Sequence, residues 1–119
     1  MKLLPLNVGC DYKKIEIEKS DYKNTDSRLL ADMAFQIFLI REFENSLLKL
    51  SGAGCVHGPV HTSIGEEACA AGAMAALKPT DKIASTHRAH HHYLAKAISY
   101  YSSKGFNAIT EVVPAKINE

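Results

Sequence analysis

The 119-residue chain has no C-x-x-C pair: its three cysteines, Cys10, Cys55 and Cys69, are isolated and odd in number. That pattern argues against a zinc knuckle or a redox dithiol and fits a reducing cytoplasm. An excess of one charge is missing as well. Fourteen Lys and Arg against thirteen Asp and Glu leave a formal +1, without the broad positive field of a nucleic-acid binder, so any anion site must be local. No apolar run approaches the length that crosses a bilayer, and the opening MKLLPLNVGC, interrupted by Pro5 and Asn7, is too short for a secretion signal. Neither a membrane nor a nucleic acid is expected as a partner. Internal repeats and low-complexity tracts are absent too.

What is present is a chain 46% hydrophobic, enough for one domain with a modest core. Residues 1–24, with Pro5, Gly9 and the short alternation Ile15-Glu16-Ile17-Glu18, read as an N-terminal arm or an edge strand with little core. Residues 25–119 form the rest. Asn24-Thr25-Asp26 supplies a helix start, and Leu29, Leu30, Met33, Ile37, Ile40, Phe43 or Glu44, and Leu47 recur as one amphipathic face, predicting a helix to about Ser51. At ~1.5 Å per residue it would be ~37 Å long, so it should pack against more protein than this chain supplies. Gly52-Ala53-Gly54 stops it.

Ser63-Ile64-Gly65-Glu66 has capping-box spacing and predicts a second helix from Ser63, rich in Ala and Gly, ending at Lys78-Pro79. Lys82-Ile83-Ala84-Ser85-Thr86 suits a brief buried strand. Beyond it, Leu94, Ala97, Ile98 and Tyr101 recur at helical spacing from His90 onward. The segment with Gly105 and Pro114 carries no firm assignment.

Four of the six histidines fall in HRAHHH, residues 87–92. Spacing of i, i+3 and i+4 for His87, His90 and His91 permits a metal site, but no acid lies within or just after the cluster. On a helical wheel His90 falls mid-stripe with Leu94, Ala97 and Tyr101, His91 at the edge beside Ile98, and His92 opposite, so the three cannot share one role. The plainer account makes His90 a satisfied core imidazole, His92 a solvated one, and Arg88 half of an ion pair. The functional account has Arg88 fork onto a phosphate at the carboxyl end of a strand, with His87 and His90 donating beside it. His57 and His61 bracket Gly58-Pro59 just ahead of a helix start that favours anions, which lets His61 face a pocket.

Residues 28–98 resemble the N-terminal part of the alpha subunit of thiamine-diphosphate-dependent 2-oxo acid dehydrogenases, the group of pyruvate, branched-chain and acetoin dehydrogenases. Three signatures arrive in order: Ile40-Arg41-Glu42-Phe43-Glu44, His61-Thr62-Ser63-Ile64-Gly65-Glu66-Glu67-Ala68, and Ser85-Thr86-His87-Arg88-Ala89-His90. The resemblance implies an α/β thiamine-diphosphate-binding fold, of which this piece is mostly helical with one or two short strands. It implies His87 and Arg88 as cofactor-binding residues on the diphosphate, and His61 and His90 as catalytic residues near the reacting carbon. Ala89 and His91 stand where the family usually has glycine, and Glu66 where it usually has glutamine.

The cofactor so implied is thiamine diphosphate with magnesium, yet the family's Gly-Asp-Gly magnesium motif is absent from these residues. The implied partners are a beta subunit or beta-like domain in a homo- or hetero-oligomer, and a lipoyl-bearing acyltransferase that receives the acyl group after oxidative decarboxylation. On this reading the chain is an N-terminal piece, inactive alone. A non-catalytic assembly module and a histidine metal-binding protein are the alternatives.

Overall fold

The computed structural model describes Gly9 and residues 15–107. Pro5, Asn7, Cys10 and Pro114 lie outside them, and with them the reading of the opening segment. The described residues form helices α1 (Lys19–Asn24), α2 (Ser27–Gly52), α3 (Glu67–Ala75) and α4 (His90–Ser102).

α2 begins where expected. The Asp26 carboxylate accepts from the Arg28 N–H at 2.9 Å, satisfying one of the free donors of the first turn. It ends at Gly52, with Gly54 in the left-handed region (φ +75°) that the reversal requires. Its 26 residues extend ~39 Å at ~1.5 Å per residue. α3 packs against both α2 and α4. The shared core consists of Ile40, Ala70, Met74 and Ala95, with Leu77 and Leu94 against it. Ala70 and Ala71 are fully buried, and their small side chains let the helices approach. Gly72 faces away from this contact, with nothing near an added Cβ.

Four expectations are corrected. No strand forms among the described residues: 82–86 have no ladder partner and are exposed rather than buried, and a segment without a neighbouring ladder is not a strand. The capping box at Ser63 does not form. Gly65 takes φ +98°, the chain turns there, and α3 starts only at Glu67 with Glu66 as N-cap; the helix closes at Ala75, short of Lys78-Pro79. Within the 1–24 arm, Lys19–Asn24 makes a six-residue helix with no buried residue, closed by a reciprocal Glu18 and Asp21 box. On α4 the buried face is His91 and Ala95, not His90 and Tyr101, because α3 covers that side. No described helix is long and apolar enough to cross a membrane.

Candidate functional site

The loop 53–66 and the segment 76–89 meet ahead of α3 and α4. Ser63, fully buried, donates its hydroxyl to the carbonyl of Arg88 at 3.2 Å. One hydrogen bond thus joins two segments 25 residues apart, and it brings the His61 ring edge-on to the His87 ring, centroids 5.7 Å apart. His61, His87 and Arg88 are all exposed. Three of the four nominated residues therefore share one face.

His90 is held separately. Its Nδ1–H donates to Oε1 of Glu44 at 3.1 Å, and its ring lies edge-on to Phe43 at 6.3 Å. Glu44 is fully buried, and its Oε2 has no hydrogen-bond partner. A carboxylate buried with one oxygen bare costs stability wherever it serves packing alone. Here it fixes the imidazole with Nδ1 as donor and leaves Nε2 as the unprotonated nitrogen.

Glu66 lies between Arg88 and His91. Its Oε1 is 3.7 Å from Nη1 of Arg88, with both side chains 44% exposed, and its Oε2 is 3.4 Å from Nε2 of the buried His91. Burial, then the neighbouring His92, pushes the His91 pKa below its usual value, against the pull of Glu66. His92 is half-buried rather than solvated, its Nδ1 sharing a proton with Ser85 Oγ at 2.6 Å.

Beneath this face Glu67 receives Arg41 Nε at 2.5 Å and the Gly65 N–H at 2.9 Å. The Arg41 hydrogen bond, aided by Gly65 and opposed by burial, lowers its carboxyl to about 2. Arg41 and Glu67 thereby fix the turn that carries Ser63 and Glu66 against α2. None of Glu44, Glu66 and Glu67 was nominated from the sequence, although all three lie inside its motifs. For Glu44 the signal was an acid on the apolar face of α2, in line with buried Gln36 and Ile40.

A groove of about 470 Å³ lined by Ile83, Tyr93, Ala97 and Tyr101 contains none of the four nominated residues. Among the described residues no three His, Cys, Asp or Glu side chains are grouped to hold a metal ion.

A profile of the family described as "Dehydrogenase E1 component" matches residues 36–110. The chain is 40% identical over 73 residues to the alpha subunit of acetoin:2,6-dichlorophenolindophenol oxidoreductase from Cupriavidus necator, which covers 61% of this chain and 22% of that protein. The Bacillus subtilis protein of the same name is 47% identical over 57 residues, 48% of this chain and 17% of its own length. The pyruvate dehydrogenase E1 component subunit alpha of Zymomonas mobilis is 37% identical over 76 residues, 63% and 22%. The chain thus spans about a fifth of the length of the curated relatives it matches. No solved structure matches it.

Proposed function

The chain belongs to the dehydrogenase E1 component family, and from that membership we propose that it supplies the diphosphate-anchoring wall of a thiamine diphosphate site in the alpha subunit of a 2-oxo acid or acetoin dehydrogenase. The observation that carries this reading is the Ser63–Arg88 hydrogen bond, which presents His61, His87 and Arg88 together. The donor set suits one side of a diphosphate. Arg88 is held only by a long, half-exposed contact to Glu66, a pairing worth at most about 1 kcal/mol in solvent, so its planar fork can be given up to phosphate oxygens. His87 stands beside it as a second donor.

When bound, thiamine diphosphate supplies the carbanion chemistry at the 2-oxo or acetoin carbon. The work of this chain is binding and proton placement. Arg88 and His87 hold the diphosphate, while His61 and the Nε2 of His90 hold or move a proton beside the reacting carbon. Glu44 keeps His90 in the tautomer this needs. No described residue of this chain is assigned to magnesium; those ligands, the α/β sheet of the complete fold, a beta partner and a lipoyl-bearing acceptor belong to the rest of the assembly on this reading. The family membership and the relatives' designation as alpha subunits support that division. A cytoplasmic setting fits the free, exposed Cys55 and Cys69.

The test is equilibrium binding of thiamine diphosphate to the assembled alpha and beta subunits. Arg88→Ala should weaken it by roughly 10- to 100-fold, the range of one charge-assisted contact of about 1.5 to 3 kcal/mol. Unchanged affinity would remove Arg88 from the site.

A further inference from the structure

Resting on the diphosphate-anchor reading, we infer that Glu66 is a built-in competitor for the anion at Arg88, so that this carboxylate lowers cofactor affinity. Its Oε1 lies 3.7 Å from the Arg88 guanidinium, on the same exposed face as His61 and His87. A multiply charged phosphate group arriving there meets a negative charge about 4 Å from the cation it seeks.

The backbone that carries Glu66 is fixed. Its backbone N–H donates to the Ser63 carbonyl at 2.9 Å, and its own carbonyl accepts from Cys69 and Ala70 in the first turn of α3. Its other oxygen rests 3.4 Å from Nε2 of His91, a ring 3% exposed and enclosed between the helices. The carboxylate thus sits between the Arg88 guanidinium and a buried ring. The local effect is to keep Arg88 partly neutralised until a ligand of higher charge displaces the contact.

Binding isotherms on the alpha and beta assembly test this, with thiamine diphosphate at saturating magnesium as one probe and inorganic diphosphate as the other. Glu66→Gln keeps the shape and the His91 contact but removes the charge, and should tighten both probes about 5-fold, the effect of one unit charge at ~4 Å in a solvent-screened setting. Glu66→Ala should tighten them too. In an Arg88→Ala background the gain from Glu66→Gln should shrink, because the cation being contested is gone. Unchanged or weaker binding in Glu66→Gln, with Arg88→Ala still damaging, overturns the competitor role and leaves the anchor standing. Tightening by Gln but not by Ala also overturns it, since the new amide would then be the ligand contact. If Arg88→Ala itself changes nothing, the anchor reading falls and this inference with it.

Discussion

Glu67 and His91 both tie stability to pH, and in the same direction. The Glu67 carboxyl is lowered from the usual 4.5 to about 2 by Arg41, so the unfolded chain takes up a proton first as the medium is acidified. Its stabilisation is present above 4.5 and is lost as pH falls toward 2. His91 has its pKa lowered from 6.5 by burial. The unfolded imidazole therefore protonates before the folded one, and stability declines as pH falls below 6.5. Urea midpoints measured against pH should fall in these two successive windows. Glu67→Gln should flatten the lower one and leave the upper one intact; an unaltered acid limb in that variant would show that the Arg41 contact carries no stability.

On the scale of elements, the core is the contact of α3 with α2 and α4, and its apolar contents are few. Ile40, fully buried, is the large side chain at its centre. Ile40→Ala should cost about 2 to 5 kcal/mol in chemical denaturation, the lost transfer energy plus a cavity. Ala70→Leu should cost ~1 to 3 kcal/mol by forcing α3 off its neighbours. A cost under ~1 kcal/mol for both would mean that this contact does not organise the fold. Much of α2 and α4 was legible beforehand, because Asp26, the Gly52-Ala53-Gly54 stop and the spacing of Leu94 and Ile98 are local signals. The start of α3 was not. Ser63 and Glu66 have capping-box spacing, but burial of Ser63 against the Arg88 carbonyl offers its hydroxyl a partner 25 residues away, and tertiary contact overrides the local motif. The rotation of α4 was missed for a similar reason: the wheel ranks side chains by hydropathy, whereas α3 covers the side of His91 and Ala95.

For the whole molecule, the buried apolar side chains among the described residues are Ile40, Ala70, Ala71, Met74 and Ala95, three of them alanines. Meanwhile Phe38 and Tyr93 are 71% and 74% exposed on α2 and α4. So small a core beside exposed aromatic rings leaves apolar surface on α2 and α4 uncovered by the described residues, which fits the proposed place of this chain in an alpha and beta assembly. The site shows the same division. His61, His87 and Arg88 lie on one exposed face, which the proposed function reads as a set of donors; Glu44, which holds His90, and Glu66 and Glu67, which lie beside that face, needed three-dimensional placement to acquire roles. The most direct measurement is a structure of the alpha and beta assembly with thiamine diphosphate bound. The account predicts the Arg88 guanidinium and the His87 ring within hydrogen-bond distance, about 3 Å, of diphosphate oxygens. A diphosphate bound out of reach of both, with Arg88 still facing Glu66, would contradict it.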